Sequence, residues 1–429
     1  MTAHHRATVQ QELIDFVRTN SPFYRDAWRN IPTPTTSNIE DLPITNTIAY
    51  WAANNHSPPQ TFTTPFTDGT VMRSGGSTGA PKIIYMTRAE QRAVAVVKAA
   101  AMAQGCGFVT GDRVAHMSHF GGLYGSFNLF NTALMEMPVS HVHLPISGNE
   151  TIENTINWMF EFGATVLLSN PSTARQIADR LIREGKTMDS VRLISYTGEL
   201  FTKGLRELYK KAFPNALIYP SLYGCIDAGP IGIPPHPYQG GDDDVAPKYK
   251  VLAPLLVMEI LDEHSKPIKE NGKKGTIVIS HLIKRQQPML RYPTGDIASW
   301  TDYSNEIFEL HGRDSVGLKI VNAHLPIAVL REIIEEILGE GVSQGSQFVA
   351  RRLNDPEAQE LTIRIVAQQP DKPEDVRDEI NARLGQISGR WAEHQKNGYI
   401  APLRLEWILV DQLQLKSSGK VSDIVEERF

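Results

Sequence analysis

The chain has 429 residues, of which 41% are apolar and 21% charged, the balance of a folded protein and not of a disordered or fibrous one. A net charge of -5 argues against a nucleic-acid-binding body, and only two cysteines, Cys106 and Cys225, exclude a disulfide framework or a cysteine-built zinc site. No apolar run reaches the about 18 residues of a membrane span, and the start MTAHHRATVQQELIDF lacks the apolar core of a secretory signal, so a cytoplasmic setting is expected.

At this length one core does not suffice, and a large domain with a smaller companion is expected. In residues 1–30, Leu13, Phe16, Val17 and Tyr24 recur at helical spacing, and a Pro/Thr/Asn-rich stretch from Ile31 to Thr64 reads as loops wrapped on the surface. Between residues 70 and 222 strand-like runs (Val114–Ser118, Val139–Leu144, Thr165–Leu168, Arg192–Tyr196, Ala216–Ser221) alternate with helical ones (Arg88–Gln104, Thr151–Phe162, Thr173–Glu184, Lys203–Ala212). That alternation predicts a mainly parallel α/β sheet, with ligands beyond the carboxyl ends of its strands.

The pattern then changes. Leu255–Leu261, Gly275–Leu282 and Met289–Tyr292 read as strands with little helix between them, which predicts an antiparallel β subdomain. Beyond His311–Ser315 come a helix over Ile327–Leu338, strands over Gln347–Arg352 and Leu361–Ala367, a helix over Glu374–Leu384 and a strand over Arg404–Val410. The expected division is an N-terminal α/β domain over 1–313 and a small, mobile α+β domain over 314–429.

Five segments could carry chemistry. Arg73-Ser-Gly-Gly-Ser-Thr-Gly-Ala-Pro-Lys82 precedes a helix, and its glycines and hydroxyls suit phosphate oxygens, although it lacks Walker spacing. Tyr196-Thr-Gly-Glu199 and Ser221-Leu-Tyr-Gly-Cys-Ile-Asp227 end consecutive strands, where Tyr223 could stack on a base and Asp227 could hold magnesium. Leu290-Arg-Tyr-Pro-Thr-Gly-Asp296 offers a carboxylate for two ribose hydroxyls. His311-Gly-Arg-Asp314 and Lys416-Ser-Ser-Gly-Lys420 add cations able to meet a ribose or a phosphate. Taken singly, each reads equally as a turn, a core aromatic or a solvated charge.

Their order and spacing from Met72 to Val425 resemble the adenylate-forming superfamily of acyl-CoA synthetases, adenylation domains and luciferases, most closely its phenylacetate–CoA ligase branch. The resemblance implies an acid–AMP-forming ligase that uses ATP and Mg²⁺ to make an acyl-adenylate, aryl acids being favoured, and then a thioester with CoA. It implies that Ser74, Gly75, Gly76, Ser77, Thr78, Gly79 and Lys82 grip the pyrophosphate, that Gly198 and Glu199 flank the adenine, and that Tyr223 and Gly224 cover its other face. Asp227 stands where the family has a magnesium-binding Glu. Asp296 and Arg313 would hold the ribose, Asp314 would be the hinge, and Lys420 the lysine of the adenylation step. His119 and Tyr124 would border the acid. Transfer to a carrier protein, an amine or a reductase partner, and a silent nucleotide-binding homologue, are the alternative readings. A homodimer is left open, and from the charge and the lack of a long apolar run neither nucleic acid nor membrane is expected as partner.

Three departures from the family pattern bear on this, the first being Asp227 for the usual Glu, one methylene shorter. Ile226 stands where a Thr hydroxyl is usual. Val321 falls at or near a usual Gly, where its side chain would crowd a pantetheine arm. His116/His119 and His141/His143 lack the carboxylate or cysteine partners of a metal site.

Overall fold

The computed structural model describes residues 3–31, 38–74, 82–199, 201, 203–235, 248–253, 255–313, 317–321, 323–339, 342–353, 359–416 and 421–427. Among them an eleven-stranded sheet is organised around the strand Leu217–Cys225. On one side of it run parallel strands in the order Leu193–Thr197, Val166–Ser169, Asp112–His116 and His141–Leu144. On the other side Gly229–Ile233, Lys248–Val251, Ile307–Arg313, Tyr292–Asp302, Lys274–His281 and Leu256–Leu261 pair antiparallel. The parallel and antiparallel sets are therefore halves of one continuous sheet, and Leu217–Cys225 is the pivot between them.

The inner strands of the parallel half are buried, as crossover helices require, Val166–Ser169 along its whole length, while the edge strand His141–Leu144 is partly exposed. The helix Pro171–Arg183 shows how the sequence sets this. Asn170 caps it by accepting from the Thr173 N–H at 2.8 Å, proline occupies its first turn, and Ala174, Ile177, Ala178 and Leu181 fall on its buried face. Truncating Ile177 to alanine would cost about 2–5 kcal/mol. The helix Arg88–Gly105 opens with a capping box between Thr87 and Glu90. The second Glu90 oxygen accepts from Arg285 N at 2.6 Å and Gln286 N at 2.8 Å, so one carboxylate caps a helix and pins a distant loop.

The N-terminal segment is more helical than its composition suggests, because Thr47–Asn54 forms a helix capped by Asn46 within the expected loops. It docks through buried hydroxyls. Tyr24 and Tyr50 donate to Pro288 O at 3.2 and 3.0 Å, and Tyr24 accepts from Leu290 N at 3.0 Å. The strand expected over Met289–Tyr292 instead begins at Tyr292 and runs to Asp302. The reason is Arg291, which takes a left-handed φ of 45° and pairs its buried guanidinium with Glu259 at 3.0 and 2.7 Å.

A separate hydrophobic core is built from residues beyond 317, including Leu318, Leu330, Phe348, Ile363, Leu384 and Trp391. Its four-stranded sheet runs Arg404–Trp407, Gln359–Ile365, Ser346–Arg352, Ile424–Glu427, with helices Ile327–Leu338 and Pro373–Ile387 packed on it. The expected strand over Arg404–Val410 stops at Trp407, because Val410–Gln412 turns into a 3₁₀ helix. The two parts of the chain touch closely at Gly345, where an added Cβ would come within 2.7 Å of Arg175 Nη1. Among the described residues no helix is long and apolar enough to cross a membrane.

Candidate active site

The pivot strand delivers the centre of the site. Leu217–Cys225 pairs parallel with Leu193–Thr197 and antiparallel with Gly229–Ile233, and the turn after it carries Asp227 to the carboxyl end of the parallel half. Gly224 is required by the hairpin: a Cβ there would lie 2.4 Å from Gly229 O. Asp227 Oδ2 accepts from Lys82 Nζ at 2.8 Å and from the Tyr292 hydroxyl at 2.8 Å, while Lys82 also donates to Tyr292 at 2.8 Å. Burial works against this carboxylate. The Lys82 charge and hydrogen bonds from Cys225, Lys82 and Tyr292 outweigh it and hold the carboxyl at about 2.

Three supporting groups escaped the sequence reading. Trp51 donates its indole N–H to the Tyr292 hydroxyl at 3.1 Å, and the Lys82 ammonium sits 5.3 Å from the Trp51 ring. Tyr292 itself lies within the Leu290–Asp296 motif, where its hydroxyl has no local signature. Lys284, fully buried, donates to the Asp227 carbonyl at 2.7 Å, and burial lowers its pKa. No local pattern marks Trp51 or Lys284, since both arrive from segments that dock over long sequence distances.

Ser74 and Lys82 close the ends of the Gly/Ser/Thr segment: Ser74 N donates to Lys82 O at 2.9 Å and Lys82 N donates to Ser74 Oγ at 3.1 Å. Gly75, Gly76, Ser77, Thr78 and Gly79 lie outside the described residues, as do Asp314 and Lys420. Tyr223, buried, donates to Asp296 Oδ2 at 2.6 Å. Asp296 stands directly opposite Arg313 across the strands Tyr292–Asp302 and Ile307–Arg313, so the two expected ribose residues are brought together. Gly198 turns with φ 85°, a conformation glycine adopts freely. Glu199 then accepts from Ser172 N at 2.8 Å and Ser172 Oγ at 2.7 Å, at the N-terminus of the helix Pro171–Arg183.

The strand Thr70–Arg73 runs beside the Phe120–Gly125 loop, with Arg73 N donating to Leu123 O at 2.9 Å and a bridge to the buried Tyr124. His119 is buried against Gly148, where a Cβ would come within 2.4 Å of its ring, and burial pushes it down to about 4. His116 Nδ1 lies 3.2 Å from His143 Nε2 and its ring stacks on Phe127. Burial first, then His143 and Lys98, push His116 down to about 3. No group of three or more His, Cys, Asp or Glu suited to a metal occurs among the described residues.

One twisted sheet with a parallel and an antiparallel half, and a small α+β domain following it, together make the architecture of the adenylate-forming enzymes. Residues 28–286 match the family model of AMP-binding enzymes, and the chain belongs to that family. It is 20% identical to indoleacetate–lysine synthetase of Pseudomonas savastanoi over 75% of each chain. It is 24% identical to phenylacetate-coenzyme A ligase of Thermus thermophilus over 68% of this chain and 64% of that one. For the phenylacetate-coenzyme A ligase of Aromatoleum evansii the match spans about half of the relative, 49%. A 2-hydroxyisobutyryl-CoA ligase in its postadenylation state superposes with a TM-score of 0.74 at 17% identity, covering 100% of this chain and 91% of that one.

Proposed function

We propose that this chain uses ATP to activate a carboxylic acid, preferably an aryl acid, as its acyl-adenylate and then passes the acyl group to the thiol of CoA. The Lys82–Asp227–Tyr292 cluster carries this reading: a cation and a carboxylate kept ionised, adjoining the Ser/Thr/Gly segment at the carboxyl end of the pivot strand. The two charges form an ion pair. In the proposed complex Lys82 turns to the phosphates, with Ser74, Gly75, Gly76, Ser77, Thr78 and Gly79 around the pyrophosphate. Gly198, Glu199, Tyr223 and Gly224 bound the adenine, and Asp296 and Arg313 take the ribose. His119 and Tyr124 line the acid.

The chemistry is an in-line displacement. A carboxylate oxygen attacks the α-phosphorus, the bond to the bridging oxygen breaks, and pyrophosphate leaves with the electron pair. Lys420 offsets the charge that builds on the phosphate oxygens. A magnesium ion held by Asp227, phosphate oxygens and water would add to that, and a carboxyl held at about 2 is a hard donor that fits it. The chain divides at 313/314, and Asp314 is the proposed hinge about which the small domain withdraws Lys420 and admits the acceptor. The thiol then attacks the acyl carbon, AMP leaves, and the thiol proton passes to solvent.

A second acceptor has a specific observation in its favour. The relative aligned over 75% of this chain is an indoleacetate–lysine synthetase, whose name describes joining an acid to an amine. That relative and the phenylacetate ligases also support an aryl-acetic acid as substrate. The test is acid-dependent ATP–pyrophosphate exchange with phenylacetate, indole-3-acetate, benzoate, 2-hydroxyisobutyrate and a fatty acid, followed by AMP release with CoA or with lysine. Exchange with the aryl acids and CoA-driven AMP release are expected. Lysine-driven release would transfer the proposal to an amine acceptor, and silence with every acid would overturn it.

A further inference from the structure

Gln414 and Ser422 flank the segment of sequence that contains Lys420, and one buried side chain holds both of them. Gln347, at the start of the strand Ser346–Arg352, is fully buried. Its Nε2 donates to Gln414 O at 2.7 Å and to Ser422 O at 3.0 Å, and its Oε1 accepts from Gln414 N at 3.0 Å. Two carbonyls and one N–H dictate which way the amide points. The two flanks also pair with each other, Ser422 N donating to Gln414 O at 3.0 Å and Leu415 bridging Val421. The next residue is fixed independently, by an ion pair between Asp423 and Arg331 and by Phe348 N donating to Asp423 O at 2.9 Å. Lys420 lies two positions before Ser422 in the chain.

We infer that Gln347 is a positioning residue for the adenylation step, holding the two segments that flank Lys420 in the chain. The inference rests on the adenylate-forming reading and on the role given to Lys420. An amide suits this place because it is the one short side chain that satisfies donors and acceptors on two strands at once. Without that clamp Gln414 and Ser422 keep their own pairing but lose the bonds that set them against the strand Ser346–Arg352. A displacement of about 1 Å in a charge aimed at a transition state costs on the order of a hundredfold in rate.

Gln347→Met keeps the shape and deletes all three bonds, while Gln347→Asn keeps the amide and shortens it. Each is compared with wild type in acid-dependent pyrophosphate exchange, using the most active acid of phenylacetate, indole-3-acetate, benzoate, 2-hydroxyisobutyrate and a fatty acid. A fluorescent ATP analogue reports nucleotide affinity. Gln347→Met is expected to lower the exchange rate at least tenfold with ATP affinity within twofold, and Gln347→Asn to fall between it and wild type. In a Lys420→Ala background Gln347→Met should add nothing, because it acts through that lysine. A further loss in that background, or an unchanged exchange rate in the single variant, overturns the positioning role. Full exchange by Lys420→Ala alone instead overturns the reading of the lysine on which the inference stands. Amide hydrogen exchange needs no acid substrate and decides the structural half. The Gln414 and Ser422 N–H groups should exchange at least tenfold faster in Gln347→Met, with those of Gln359–Ile365 unchanged. Unchanged protection at Gln414 overturns the clamp.

Discussion

Lys82 and Asp227, 145 positions apart in the chain, meet at 2.8 Å, and the Tyr292 hydroxyl is bonded to both. Because the pair holds the carboxyl at about 2, against about 3.9 when unfolded, it adds stability above about pH 4 that is lost as pH falls toward 2. The full effect is about 2.5 kcal/mol. Urea unfolding of wild type and Asp227→Asn at several pH values checks this. Between pH 4.5 and 2.5 the variant should lose less stability than wild type, and parallel curves would contradict the pairing.

His116 predicts a second acid sensitivity, in a higher range. Its folded pKa of about 3 lies below the unfolded value of about 6.5, so the neutral ring contributes stability that begins to fade below pH 6.5. Between pH 6.5 and 5 the loss from this residue is about 2 kcal/mol. His116→Phe preserves a ring against Phe127 and should flatten the stability profile there. An unchanged profile in urea midpoints measured at pH 7, 6 and 5 would contradict a buried neutral histidine.

Tyr223 and Asp296 are expected to separate stability from nucleotide binding. Tyr223→Phe removes a 2.6 Å hydrogen bond to a buried carboxylate and should cost about 1.5–3 kcal/mol in denaturant unfolding. Asp296→Ala should weaken ATP binding about tenfold or more in a fluorescent-analogue titration. Normal ATP affinity in Asp296→Ala would remove Asp296 from the ribose site.

Val321 occupies the turn between the strands Gly317–Ile320 and Ala323–Pro326 with a left-handed φ of 52°, which a β-branched residue resists. Val321→Gly relieves about 1–2 kcal/mol of strain and adds about 0.5–1 kcal/mol of unfolded-state entropy. A net gain of about 0–1.5 kcal/mol is expected in denaturant unfolding, and a net loss would contradict the strain. The same variant should raise CoA-dependent AMP release if the valine crowds the acceptor path.

The parts of the site that sequence could name were those carried by contiguous motifs. The ends of consecutive parallel strands placed Gly198, Tyr223 and Asp227, and the structure sets Asp296 opposite Arg313 as two separate motifs suggested. What stayed hidden depends on docking. Trp51 comes from the N-terminal wrap and Lys284 from a loop held by Glu90, and neither contact has a local signature. Pro-Thr-Gly-Asp reads by composition as a turn, yet an eleven-residue strand runs through it. Its pairing steps from Val278↔Pro293 to Thr276↔Ile297, so this strand bulges over Thr294–Asp296, where Gly295 has φ 82°. The helix Ser126–Met135 has no clear sequence signature, since Gly125 offers no side-chain cap and asparagines interrupt its apolar residues.

Oxygen transfer from acid to AMP tests the central claim most directly. The acid that best supports exchange, labelled with ¹⁸O in both carboxylate oxygens, is turned over with ATP and CoA, and the AMP is analysed by mass spectrometry. Attack of the carboxylate on the α-phosphorus predicts one ¹⁸O in the phosphate of AMP. Label in pyrophosphate or inorganic phosphate, or AMP formed without label, would contradict an acyl-adenylate on the path.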